Sequence, residues 1–255
     1  MELSILGCHG GETPRYKTTS FLIDGRLAID AGALTSGLSL ERQLEVDNIL
    51  ITHAHLDHVK DLAMLADNVF GRRRKPVRIF CTPETHRTLR EHFFNDRLWP
   101  DFTVLPSARR PTVQLVEVPF EQKVRVGPFQ VTAIRVDHPI ESVGYLVSGR
   151  SGTLAISGDT GPTQRFWNAV NGLRDLKMLL VEVSFPNGMQ KLADVSMHLT
   201  PQALAGELEK LALDGFPILL YHLKPAYVDA IRADLQPLFE LRPLVLPEAG
   251  EVYHF

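Results

Sequence analysis

Apolar and polar residues alternate along 2–7, and the segments 19–24 and 26–30 carry the same strand-like composition. Asp24-Gly25 stands between the latter two, a pair suited to the positive-φ positions of a tight turn, so they form a hairpin. A helix over 38–45 leads to an apolar strand at 48–52, a helix at 58–67, a strand at 77–81 and a helix at 83–94. From 112 the pattern shortens to strands at 112–118, 122–126, 129–136, 143–148 and 152–157, parted by glycine turns and read as antiparallel. A helix at 162–172 and a strand at 176–183 follow, then a helix at 201–213 whose start is marked by Thr200-Pro201. A strand at 217–221, a helix at 226–236 and a short strand near 242–246 close the series. No repeat, low-complexity tract or linker interrupts it, so residues 1–255 read as a single α/β domain.

Composition narrows the class. With 44% apolar and 22% charged residues the chain is neither disordered nor fibrous. A net charge of −3 argues against a surface built for non-specific nucleic-acid binding. No basic leader precedes an apolar stretch, and no run approaches the ~20 apolar residues that span a bilayer. The expectation is a cytoplasmic protein with no membrane contact. Cys8 and Cys81 give no disulfide framework and are expected in the core.

The strand at 48–52 runs into Thr52-His53-Ala54-His55-Leu56-Asp57-His58. His53 and His55 lie two apart and project to one side, while Asp57 and His58 fall where the chain turns into a helix. Mixed imidazole and carboxylate donors suit a hydrolytic transition-metal centre rather than calcium. Further donors end later strands: His138 in Val136-Asp137-His138-Pro139, Asp159 in Ser157-Gly158-Asp159-Thr160-Gly161, and His222 in Tyr221-His222-Leu223-Lys224-Pro225. Seven donors are enough for two divalent ions. Asp159 would stand between them, with His53, His55 and His138 on one and Asp57, His58 and His222 on the other. Zinc is the first expectation, and manganese or iron also suits such ligands. A close pair of such ions activates water and stabilises an in-line displacement, so the chemistry is hydrolysis.

Other residues are candidates of lower rank. Asp30 ends a strand and is placed to support the metal histidines; His9, among Gly7, Gly10 and Gly11, reads as a turn residue. Arg72-Arg73-Arg74-Lys75 reads as a solvated loop, otherwise as a phosphate or RNA contact. The aromatic, proline-broken segment 93–102, with Phe94 and Trp99, reads either as a cap whose faces stack on a base or ring of the ligand or as packing under a long loop.

The HxHxDH run, the later strand-end His, the Gly-Asp-Thr aspartate and the final His resemble the metallo-β-lactamase superfamily. That resemblance implies an α/β fold, an αββα four-layer sandwich with the metals at one edge. Most of the chain resembles a narrower family, the class II 3′,5′-cyclic-nucleotide phosphodiesterases. The resemblance rests on His53 to His58, on Phe94-Asn95 with Trp99-Pro100-Asp101-Phe102, and on Glu182-Val183-Ser184-Phe185-Pro186-Asn187. It extends to Met197-His198-Leu199-Thr200-Pro201 and Tyr221-His222-Leu223-Lys224-Pro225. It implies a small cyclic nucleotide, cAMP or cGMP, as partner and substrate, ahead of RNA, and it is compatible with a homodimer. Departure of a 3′ alkoxide needs a proton, and His198 is the expected general acid, oriented and charged by Glu182, with Asp57 aligning the nucleophile. A ribonuclease Z-like nuclease, a thioester or lactam hydrolase, and a non-catalytic metal-binding scaffold are the competing readings.

Overall fold

Neighbouring side chains of a strand point to opposite faces, and here both faces find a core, which is why so many strands read as continuous apolar runs. The computed structural model describes residues 1–255. The first half contains β1 (Glu2–Gly7), β2 (Ser20–Ile23), β3 (Leu27–Ile29), α1 (Leu34–Gly37), α2 (Leu40–Gln43), β4 (Asn48–Leu50), α3 (Leu56–Val59), α4 (Asp61–Val69), β5 (Val77–Cys81) and α5 (Pro83–Thr88). A single π-helical turn, Leu89–Phe93, extends α5. Next come β6 (Pro106–Ser107), β7 (Arg110–Pro111), β8 (Val113–Glu117), β9 (Lys123–Val126), β10 (Phe129–Val136), β11 (Ser142–Gly149) and β12 (Gly152–Ile156). The remainder is α6 (Arg165–Asn171), β13 (Leu176–Glu182), α7 (Gln190–Ser196), α8 (Pro201–Leu208), β14 (Ile218–Tyr221), α9 (Val228–Phe239), β15 (Leu244–Val245) and β16 (Val252–His254).

Two seven-stranded sheets result, in the orders β16-β1-β2-β3-β4-β5-β8 and β15-β14-β13-β12-β11-β10-β9. Leu3, Ile5, Phe21, Ile23, Leu27 and Ile29 of the first meet Tyr145, Ile156, Leu180 and Tyr221 of the second in a shared inner core. The alternate residues face outward. Leu22, Ala28 and Ile49 pack under α4, whereas Ala155, Leu179, Val181 and Leu220 pack under α6, α8 and α9. Helix, sheet, sheet, helix is therefore the layer order, the expected αββα sandwich. No helix is long and apolar enough to cross a membrane.

Within each sheet one half is parallel, β3-β4-β5-β8 and β12-β13-β14-β15. Ligand sites in such sheets form beyond the carboxyl ends of the strands. Asp30, Thr52, Asp159, Glu182 and His222 all lie at or just beyond such ends. The Asp24-Gly25 turn is as expected: both residues have positive φ (48° and 67°), and Arg26 N donates to Ile23 O at 3.0 Å.

Several sequence-based expectations are corrected. The segment 112–118 is not part of the antiparallel set: β8 joins the first sheet parallel to β5, and β12 pairs parallel with β13. Alternation alone does not report strand direction. The helix expected at 38–45 is only the four-residue α2, where Ser39 Oγ accepts from Arg42 N, and the separate α1 before it, which ends where Leu38 takes extended backbone, was not expected. The helix from 201 stops at Leu208, and Ala212 N donates instead to Asn171 Oδ1 at 2.9 Å. Helix α7 was not anticipated, because only Ala193 of it is buried and it carries no apolar stripe.

The aromatic segment packs into the fold rather than capping a ligand. Phe93, Phe94 and Phe102 are buried in the outer core beside Val69 and Leu89, with Trp99 packed against them. Phe94→Ala is therefore expected to cost about 3–5 kcal/mol of stability in denaturant unfolding. Ligand preference should stay unchanged.

Candidate metal centre and active site

The seven donors, distant in sequence, converge at one edge of the sandwich. His53, His55 and His138 form one group whose ligand atoms lie within 4.8 Å of one another; Asp57, His58 and His222 form a second, and Asp159 makes a third with His53 and His58. His53 Nε2 and His55 Nδ1 are 3.0 Å apart, and His138 Nε2 is 3.3 Å from the same His55 Nδ1. Asp159 Oδ2 stands 3.0 Å from His222 Nε2, 3.2 Å from His58 Nε2 and 3.8 Å from His53 Nε2, so its carboxylate reaches both groups. Asp57 Oδ2 lies 3.3 Å from His222 Nε2 and 3.8 Å from His58 Nε2.

The outward nitrogens of four rings are held by acceptors, which leaves the inward nitrogens free to present lone pairs. His58 Nδ1 donates to Asp30 Oδ2 at 2.7 Å, and His53 Nδ1 to Thr52 Oγ1 at 3.1 Å. Thr52 in turn gives its N–H to Asp30 Oδ1 at 2.8 Å and its hydroxyl to Asp30 Oδ2 at 2.9 Å. His138 Nδ1 donates to Met197 O at 3.3 Å, and His222 Nδ1 to Ser184 Oγ at 2.8 Å. Only His55 is turned the other way, with Nδ1 inward.

This donor set fits divalent cations. Imidazole lone pairs face one another at hydrogen-bonding distance, and His58 Nε2 and Asp159 Oδ1 are buried without a hydrogen-bond partner. Burial lowers the pKa of His53, His55 and His222, and that of His138 to about 4, keeping these rings neutral as ligation requires. Burial opposes charge on Asp159, but His222 and His58 hold it well below the usual carboxylate range. Asp57, likewise opposed by burial, is held down by its close contacts with His222 and His58. Asp57 and Asp159 thus bring negative charge to a cluster in which His53, His55, His138 and His222 stay neutral, a demand that cations meet.

Asp30, given only a supporting role in the sequence, organises this edge. Its carboxylate accepts from Thr52 and His58 together. Asp30→Ala is expected to weaken metal binding by about 10–100-fold in a competition titration with a chelator. It should also destabilise the fold by roughly 3–5 kcal/mol, since His58 loses its buried partner.

His198 lies beside the cluster, one of its ring nitrogens within 4.8 Å of ligand atoms of His138 and Asp159. Its Nδ1 donates to Glu182 Oε1 at 2.8 Å. Burial disfavours a charged His198, yet the Glu182 carboxylate outweighs it and raises the pKa. Glu182 is wholly buried and also accepts from Thr160 N at 3.1 Å and Ser184 Oγ at 2.8 Å. Ser184, which sequence reasoning did not single out, therefore links Glu182 to His222. The signal was present in the spacing: Ser184 stands two residues after Glu182, on the same side of an extended chain.

The local backbone is shaped for this convergence. Asp30, Met197 and His222 all have positive φ (57°, 52° and 70°), a strained state for residues with a Cβ. Met197 closes α7 in this conformation and aims its carbonyl at His138. Gly10 allows the first loop to approach: a Cβ there would lie 2.7 Å from His222 Cε1. His9 stays outside the metal groups, its ring 4.3 Å from that of Tyr16. Cys8 and Cys81 are buried free thiols.

Comparison with known proteins bears on the family and the fold. A family model described as the beta-lactamase superfamily domain matches residues 21–214. A probable 3′,5′-cyclic-nucleotide phosphodiesterase of Yersinia pestis is 29% identical over 280 residues, covering 89% of this chain and 79% of the relative. The 3′,5′-cyclic-nucleotide phosphodiesterase 1 of Saccharomyces cerevisiae is 28% identical, covering 80% of this chain and 68% of its own. Unliganded yeast PDE1 superposes with a TM-score of 0.83 at 24% identity, over 100% of this chain and 99% of that one. The short form of human tRNase Z superposes at 0.71 and 17% identity, over 100% and 99%. Both structural likenesses bear on the fold alone.

Proposed function

The chain belongs to the beta-lactamase superfamily, and on that premise we propose that it is a metal-dependent phosphodiesterase that hydrolyses 3′,5′-cyclic nucleotides to 5′-monophosphates. The observation that carries the reading is the buried His198–Glu182 pair set against two convergent ligand groups. His53, His55 and His138 would hold one divalent ion, Asp57, His58 and His222 a second, and Asp159 would face both; zinc is expected and manganese or iron suits the same donors. When bound, such ions supply Lewis acidity at the phosphoryl group and lower the pKa of water to near neutral.

The chain's own residues do the rest. A ribose 3′ alkoxide is a poor leaving group and leaves readily only as the alcohol, so a proton donor is needed beside it. His198 fills that role: Glu182 fixes its Nδ1–H, leaving Nε2 to carry the proton that is transferred. Ser184 keeps Glu182 aligned and transmits the same carboxylate to His222. Asp57, a quarter exposed at its side chain, faces the opening and would orient the attacking water.

With Phe94 in the core, the base needs other neighbours. Leu56, between two ligands, is 66% exposed, and Met197, beside His198, is 41% exposed. Both offer apolar surface at the mouth of the site. Leu56→Ala is expected to raise KM for a cyclic nucleotide roughly three- to tenfold and to leave kcat nearly unchanged, read from steady-state kinetics.

The deciding experiment incubates metal-loaded protein with cyclic AMP, cyclic GMP and bis(p-nitrophenyl) phosphate, with and without chelator. Chelator-sensitive conversion of a cyclic nucleotide to its 5′-monophosphate, well above turnover of the generic diester, supports the reading. Turnover of the generic diester alone would overturn the substrate assignment and direct the search to RNA ends.

A further inference from the structure

The basic run 72–75 is not absorbed by the site, and the fold places it with two other basic segments. The loop before β5 brings Arg74 and Lys75, the turn after α5 brings Arg90, and the β6–β7 hairpin brings Arg109 and Arg110. These segments wall two adjoining hollows of about 480 and 600 Å³ that share Arg74, Arg110 and Pro111. The hollows lie along β8, the free edge of the first sheet, from the amino ends of β5 and β8. The metal-ligating cluster is at the carboxyl ends of the parallel strands, so the two places are at opposite ends of the sheet.

No carboxylate lines either hollow. Arg73 is neutralised by Asp47 at 2.7 Å, and His86 meets Glu117 at 3.5 Å, but Arg74, Lys75, Arg90, Arg109 and Arg110 have no acidic partner. Five unpaired cations around two adjoining hollows, in a chain of net charge −3, concentrate positive charge at one place. Four of the five are arginines, whose planar guanidinium matches phosphate oxygens two at a time.

The lining also says what the ligand is without. No Phe, Tyr or Trp is present to stack on a base; the uncharged walls include Val104, Ala108, Leu115, prolines and the polar Thr103, Thr112 and Gln114. Single-stranded nucleic acids are held by stacking platforms together with charge, and this lining supplies the charge without the platform. We propose that this groove binds a linear polyphosphate chain, recognised through its closely spaced phosphates alone, apart from the metal-ligating cluster.

The test is calorimetric titration of the protein with short-chain inorganic polyphosphate over a series of salt concentrations. Five contacts, at about 0.7 in log K per log salt for each, give a slope near −3.5 and weaken binding roughly a hundredfold between about 50 and 200 mM salt. The exposed double variant Arg74→Gln/Arg110→Gln is expected to flatten the slope to about −2 and to weaken binding roughly twentyfold near 0.1 M. It should hydrolyse bis(p-nitrophenyl) phosphate at the wild-type rate. Arg125→Gln, an exposed arginine on β9, serves as control and should bind as wild type. The proposal falls if the double variant binds polyphosphate unchanged, if Arg125→Gln weakens it as much, or if diester hydrolysis fails in the double variant. A thymidine oligonucleotide binding more tightly than polyphosphate of equal phosphate number would reassign the groove to nucleic acid.

Discussion

Asp159→Ala is expected to reduce bound metal to at most one equivalent and to bring diester hydrolysis down by at least about 10³-fold, beyond the 10–100-fold that follows loss of an outer partner. The reason is geometric. Among the three carboxylates of the cluster, Asp159 alone approaches members of both ligand groups, at 3.0 Å from His222, 3.2 Å from His58 and 3.8 Å from His53. Without it His53, His55 and His138 remain as a neutral set, while His58 and His222 lose the charge that faces them. Metal analysis of the purified variant by mass spectrometry, beside its circular dichroism, checks this. Asp159→Asn separates charge from shape: it keeps the side chain's volume and should share the loss. A variant that retains both metal and rate would remove Asp159 from the proposed centre.

How much of this was legible in the chain depends on the range over which each signal acts. The seven donors were readable because each follows a strand, four of them in the one loop and helix start after β4, and such ends are marked locally by alternation giving way to Gly, Pro or a helix start. Their convergence was not readable from any one segment. It follows from both parallel half-sheets pointing their carboxyl ends to the same edge, a property of the whole topology. The same limit explains the misreading of 112–118, since parallel and antiparallel edges share an alternating pattern. Phe94 and Trp99 show the opposite difficulty. Their aromatic character suggests a ligand as readily as a core, and only the position of α4 and β5 decides for the core. Helix α7 escaped notice because its exposed Leu192 and Val195 break the amphipathic pattern, although its last carbonyls fix the approach to His198 and His138. Ser184 and Met197 were invisible as functional groups for a related reason. One acts through a hydroxyl and the other through a backbone oxygen, and neither residue type announces a site.

His198→Ala is expected to slow hydrolysis of a cyclic nucleotide by about 10²–10⁴-fold, the range of general acid catalysis, with metal content unchanged. The leaving group makes the test specific. A nitrophenolate is a stable anion and departs unaided, so the same variant should lose little on bis(p-nitrophenyl) phosphate. A ribose alkoxide must be protonated as it leaves and should show the whole loss. A merely structural role for His198 would depress both substrates alike, because the imidazole packs against His138 and His222, with ring centroids 5.1 Å away in each case. Glu182→Gln extends the argument to the positioning residue. It retains an acceptor for His198 Nδ1 but removes the negative charge that stabilises the imidazolium. Its effect should again be larger on the alkoxide than on the nitrophenolate, and smaller than that of His198→Ala. Loss of metal in His198→Ala would move the residue from proton donor to ligand, and equal losses on the two substrates would leave the 3′ oxygen without a donor among these side chains.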